Sequence, residues 1–310
     1  MPYYNVNAPF GMIRYIVTQP ARNIKALAKA ALKGRWLAAM GAAVLVELMV
    51  SGPSLLLSYL FKGEFTSFIS DLYYIVISGP ATLGLVLYYL KIFRMQSTDG
   101  VLFSPFRNRQ LFFRGLLLYC GMMLRIMLWS LLFIVPGIIA AIRYSQAFKV
   151  LADHPEYSPG ACLFASDILM KGNKLRFFLL RLSFIAWYFV VALPRIFAVN
   201  AAMRALPDVD AMLTDINIFS EFYATISRHP LTLLSLFLAI LLGVYIQLSE
   251  CCFYDLAAGN LRIESESDWM EAAENDTRQN EPAWSESGEI EAERKENEEN
   301  NTEENIRYGE

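Results

Sequence analysis

The chain has 310 residues, 55% of them hydrophobic and 18% charged, with a formal net charge of −3. That is more apolar than the ~45–50%, and less charged than the ~25%, of an ordinary soluble domain, and it excludes that class. The charge is divided: positions 262–310 carry 17 acidic and 5 basic residues, and the remaining positions carry 13 acidic and 22 basic.

In chain order, residues 1–35 are an N-terminal arm. Pro20 opens a short helix there, because the first helical turn has no use for the missing N–H. Ile24, Leu27, Ala28, Ala31 and Leu32 follow the spacing of one apolar face, with Arg22, Lys25, Lys29 and Lys33 between them. Two readings stay open: a helix lying in the membrane interface, or the positively flanked start of the first span. No short apolar core with a small-residue cleavage site precedes it, so no cleaved signal peptide is expected.

The region 36–261 is read as a transmembrane domain. Its five apolar stretches, 36–61, 68–93, 112–134, 177–197 and 231–254, each come close to the ~20 residues needed to cross a ~30 Å hydrocarbon core. Lys and Arg in the short connections place the arm and the 94–114 connection inside. The stretch 112–152 is too long for one straight crossing, and Val135-Pro136-Gly137 breaks it. A turn there gives six passes with both termini inside; a mere kink gives five. Six is the preferred count. Residues 155–173 read as a cytoplasmic amphipathic segment carrying Cys162, Leu163, Ile168, Leu169 and Met170, and 201–230 as an outside loop. The acidic tail, 262–310, buries too little apolar area to offset chain entropy and is expected to be disordered. The fold class is therefore an all-α, polytopic membrane protein of five or six passes with a disordered acidic tail.

Within the spans, Ser51-Gly52-Pro53 and Ser78-Gly79-Pro80 form a local repeat. Proline removes a backbone donor, so both helices are expected to kink or open there. Matched interruptions point to a transporter's binding site, or they simply permit close packing. Glu47 and Arg125 are the charges placed deepest in spans. An intramembrane charge costs at least ~2.5–3.5 kcal/mol and so seeks a partner. The two are candidates for a structural ion pair, or for a relay or anion site. Glu250 and Asp255 lie near the inner end of the last span, where water is expected to reach them.

Cys120, Cys162, Cys251 and Cys252 show no paired spacing, and His154 and His229 lack metal-ligand partners. No catalytic motif, metal site, cofactor or nucleic-acid-binding arrangement is expected.

The run from Leu132 to Ser145, with Pro136, Gly137, Arg143 and Tyr144, is followed by Asp153-His154-Pro155, Ser166, Lys171-Gly172-Asn173-Lys174 and Trp187. Together these blocks, covering roughly 110–190, resemble the bacterial membrane proteins grouped as "domain of unknown function 975". Phe253-Tyr254 is similar to that family's terminal Phe-Tyr. Leu193-Pro194-Arg195 stands where a glycine-rich stretch and Pro-Tyr are expected. The resemblance implies a bacterial plasma-membrane location and brings no established activity. From the residues, Lys171-Gly172-Asn173-Lys174 reads as a helix C-cap with its lysines at headgroup level.

The expected function is that of a non-enzymatic membrane interaction or organising protein. Its partners would be anionic lipid and a cytoplasmic protein engaged through the tail. The alternative is a small transporter with a site near Glu47, Arg125 and the two Ser-Gly-Pro breaks.

Overall fold

The computed structural model describes residues 15–60, 64–205, 222 and 225–261. The tail, the first 14 residues and most of the 201–230 loop lie outside the described residues. Eleven helices are used here: α1 (Ala21–Ala31), α2 (Trp36–Leu60), α3 (Glu64–Phe93), α4 (Ser104–Arg107), α5 (Arg109–Leu132), α6 (Ile134–Tyr144), α7 (Ala147–Asp153), α8 (Pro159–Met170), α9 (Lys174–Leu182), α10 (Ile185–Ala205) and α11 (Pro230–Ala258). No strand occurs among the described residues. Among the described residues six segments are long and apolar enough to cross a membrane: Trp36–Ser54, Phe65–Phe93, Arg109–Leu132, Ile134–Asp153, Lys174–Arg204 and Pro230–Ala258.

The fourth of these segments gives the count of six. α5 ends at Phe133, whose backbone is extended, and α6 begins at Ile134 and packs back along α5. The turn therefore comes before Pro136-Gly137 and not at it. Pro136 sits in the first turn of α6, where proline is tolerated because no donor is lost. Gly137 packs directly against Ser130 of α5.

α3 is the hub. It packs on α2 and on α5, which make no comparable contact with each other, and lower down on α7 and α11. Its crossing with α5 is backbone on backbone: a Cβ on Gly79 would stand 2.6 Å from the Gly115 carbonyl oxygen. Close approach through small residues is how helices pack where the solvent is itself apolar.

Neither helix opens at its proline. α2 runs through Gly52-Pro53 and α3 through Gly79-Pro80 without interruption. Pro53 leaves the Met49 carbonyl, four residues back, without its helical donor. The Tyr73 hydroxyl of α3 donates to that carbonyl at 2.6 Å, so the helix pair satisfies the group and α2 need not open.

α1 is a separate helix whose apolar stripe packs on protein. Ile24, Leu27, Ala28 and Ala31 are buried, and α1 packs mainly on α11, with Tyr245 donating its hydroxyl to the Lys25 carbonyl at 3.0 Å. The apolar stripe is covered by protein, and Arg22 and Lys29 face outward. The far ends of the spans are thinly packed, and α2, α5 and α10 expose Leu45, Leu48, Leu124, Leu131 and Phe197.

Replacing Gly79 by Ala should force α3 and α5 apart and destabilise the fold by about 1–3 kcal/mol, the usual range for overpacking. Thermal and SDS-induced unfolding in mild detergent would measure it. A neutral result would refute the close crossing.

Candidate functional site

The charged residues that matter are gathered at the densely packed end, where α7, α9 and α11 meet α3. α7 is short and buried through Ala147, Phe148, Val150 and Leu151, so Lys149 is carried inside with them. α11 is buried almost continuously from Leu248 to Ala257, which takes Glu250 and Asp255 with it. Lys149 Nζ lies 3.4 Å from Glu250 Oε2, and Arg181 Nη2 of α9 lies 2.5 Å from Oε1. The Lys149 and Glu250 side chains are 3% and 4% exposed, against 53% for Arg181. Buried charges persist only when paired, and Glu250 is paired twice. These three residues line one end of a cavity of about 420 Å³, whose walls include Val86, Met122, Ile138, Ile142 and Phe178. The arrangement suits charge recognition beside an apolar volume. Among the described residues no three His, Cys, Asp or Glu side chains are grouped to hold a metal ion.

A second cluster fixes the ends of the same helices. Arg94, just past α3, donates to Asp153 of α7 at 2.7 and 2.8 Å and to Asp255 of α11 at 3.0 and 2.5 Å. The Tyr254 hydroxyl donates to Asp153 at 3.0 Å, and the Asn260 amide to Asp255 at 3.0 Å. Burial alone would lower the pKa of Arg94, but its hydrogen bonds to Asp153 and Asp255, and their charge, raise it above the ordinary arginine value. The guanidinium remains a fixed cation at any pH the fold meets.

A third set of contacts ties the N-terminal arm down. Asn173 is fully buried: its amide donates to the Tyr15 and Leu169 carbonyls, both at 2.8 Å, and its oxygen accepts from the Val17 N–H at 2.9 Å. Tyr15 in turn donates its N–H to Ala257 at 2.9 Å. Gly172 makes this possible by turning the chain at φ 85°, a left-handed conformation that favours glycine. The expected C-cap at Lys171-Gly172-Asn173-Lys174 is thus also a clamp on residues 15–17. Lys174 is half-buried at the start of α9.

The other singled-out residues fall in several places. Ser166 accepts from the Gln146 N–H at 3.2 Å and donates to the Arg143 carbonyl at 2.8 Å, holding the α6–α7 turn. Arg143 Nε stands 3.2 Å from Asp167. Tyr144 packs on the main hydrophobic core, the Pro155 carbonyl accepts from Arg114, and Trp187 is exposed.

Glu47 and Arg125 are not paired. Glu47 accepts from the Ser51 hydroxyl at 2.6 Å, and Arg125 donates to the Gly121 carbonyl at 3.0 Å. Their helices sit on different sides of α3, so each charge finds its partner one turn away on its own helix. Glu250 and Asp255 need the opposite correction. They are 3% and 2% exposed, because α1, α7 and α8 cover the end of α11 that sequence alone leaves open to water. Arg94 and Lys149 were not singled out as site residues. The available signal was a lysine inside an otherwise apolar run, and two acids in the last span that need partners.

Residues 121–259 match the model of a family described as a protein of unknown function (DUF975). That stretch of the chain is similar to the DUF975 family. It extends beyond the 110–190 blocks and takes in Lys149, Asp153, Arg181, Glu250, Tyr254 and Asp255, whereas Arg94 and the arm precede it. No curated protein and no solved structure matches the chain.

Two outcomes follow from these contacts. Arg94→Ala leaves Asp153 and Asp255 facing each other and should destabilise the fold by about 3 kcal/mol. Asp153→Asn keeps the Asp255 contact and should cost less. Equal unfolding midpoints for the two would contradict the shared-cation arrangement. Cys162 of α8 has its thiol pushed up to about 12 by burial. Unfolding returns it to its ordinary range, so alkaline pH favours the unfolded chain. In the folded protein Cys162 should resist iodoacetamide at pH 8 and react on denaturation, as peptide mass mapping would report.

Proposed function

We propose that this chain is a non-enzymatic, multi-pass membrane protein that engages anionic lipid with the basic end of its helical bundle. The observation that carries this reading is α9. It exposes Leu175, Phe178, Leu179 and Leu182 beside Arg176 and Arg181, the pattern of a helix lying between hydrocarbon and headgroups. α1 packs on the same end, where Lys25 lies 5.1 Å from the Phe184 ring, and adds exposed Arg22 and Lys29, with Lys33 just beyond it. Each such cation near an anionic leaflet contributes about 1 kcal/mol.

By the positive-inside rule this end is cytoplasmic, and six passes bring both termini there. The family resemblance favours a bacterial plasma membrane. The acidic tail, 262–310, is the segment proposed to recruit a protein partner, since an anionic leaflet repels it. A transporter reading rests on two interrupted helices and a Glu47–Arg125 site. α2 and α3 run through both prolines and the two charges are apart, so lipid engagement is the better supported reading.

The test is native mass spectrometry of protein released from nanodiscs of mixed phosphatidylglycerol and phosphatidylcholine. Retained lipid should be enriched in phosphatidylglycerol, and joint replacement of Arg22, Lys29, Lys33 and Arg176 by Gln should reduce the enrichment severalfold. Retention in proportion to the nanodisc composition would sink the reading.

A further inference from the structure

The cavity between α3, α5, α6, α7, α9 and α11 holds an imbalance of charge. Its lining includes two cations, Lys149 and Arg181, and one carboxylate, Glu250. A single buried ion pair would already be neutral, so one positive charge is left over beside mostly apolar walls. Such a charge offers a partner to an acid group entering the cavity.

Arg181 is the surplus cation. It is half exposed, whereas Lys149 is enclosed with Glu250. Its guanidinium reaches Glu250 Oε1, a fully buried atom, without the alignment of a hydrogen bond. A guanidinium has five donors in a planar fork suited to an acid group. Ser145 and Gln247 add neutral polar groups to the lining.

The apolar remainder narrows the ligand. A small hydrated anion would satisfy Arg181 and leave Val86, Met122, Ile138 and Ile142 facing empty space. An alkyl chain would fill that space and leave the charge unanswered. At about 420 Å³ the cavity falls within the ~300–1,000 Å³ typical of small-molecule sites.

We propose that this cavity binds one anionic amphiphile per chain, its acid head on Arg181 and Lys149 and its alkyl chain along Val86, Met122, Ile138 and Ile142. The inference rests on the lipid-engaging reading and narrows it from a surface to one cavity. The acid head can be a carboxylate, as in a free fatty acid, or a phosphate, as in a lysophospholipid.

The experiment uses the full chain in nanodiscs of phosphatidylcholine alone. It is titrated with oleate, oleoyl lysophosphatidate, oleyl alcohol and inorganic phosphate, and native mass spectrometry counts the bound molecules. One oleate or one lysophosphatidate should bind saturably, and the tighter of the two identifies the head. Oleyl alcohol and inorganic phosphate should not saturate a site. Arg181→Gln should weaken acid binding about tenfold or more, the loss of a charge-assisted hydrogen bond. Ile142→Trp should block the chain end, and if that variant fails to fold, Arg181→Gln decides alone. Oleyl alcohol binding as tightly as oleate would overturn the proposal, as would saturation by phosphate alone or full affinity in Arg181→Gln. Saturable oleate without phosphatidylglycerol enrichment would sink the surface reading and keep the site; the converse result would sink only the site.

Discussion

Arg94 lies where three helix ends meet, and without it two aspartates would face each other in the packed end of the bundle. Its guanidinium joins the end of α3 to Asp153 on α7 and Asp255 on α11. Lys149 lies one helical turn before Asp153, and Glu250 just over one turn before Asp255. Lys149 and Asp153, four residues apart, share a face of α7, whereas Glu250 and Asp255, five apart, point to different sides of α11 and so meet different cations. Tyr254 and Asn260 use the remaining carboxylate capacity, which leaves the cluster little freedom to rearrange.

The two ends of the molecule meet different surroundings. At the packed end, side chains from α1, α3, α7, α8 and α11 exclude solvent around Leu83, Tyr89, Leu151, Leu169 and Leu248. Toward the other end, leucines and phenylalanines on α2, α5 and α10 stand exposed, as a hydrocarbon solvent permits and water does not. Among the described residues the ion pairs between helices lie at the packed end, and Glu47 and Arg125, outside it, fall back on their own helices. Charge in this fold is organised where helices converge.

How far the sequence could be read follows from these facts. Long apolar runs announce spans because the thickness they must cross is fixed, so five stretches and the choice between five and six were visible. The α5–α6 turn was placed slightly too late, because a proline in a first turn looks the same in sequence as a proline in a break. The apolar stripe of α1 was legible from its spacing, but an identical stripe serves lipid or protein, and only packing on α11 distinguishes them. Glu250 and Asp255 were misjudged for a related reason. Distance along a span suggests water, whereas short helices from distant parts of the chain cover both residues. The resemblance to the DUF975 family picks out Asp153, Ser166 and Asn173, but their contacts with Arg94, Arg143 and Tyr15 emerge only from the fold.

The clamp on residues 15–17 has a consequence for the order of assembly. Those residues leave the ribosome early, yet the side chain that grips them, Asn173, and the carbonyl that accepts from Tyr15, Ala257, are made much later. The segment before α1 can therefore complete its contacts only once the last span is in place. Docking of this arm closes the sequence of events, and chains halted before residue 257 would still lack it.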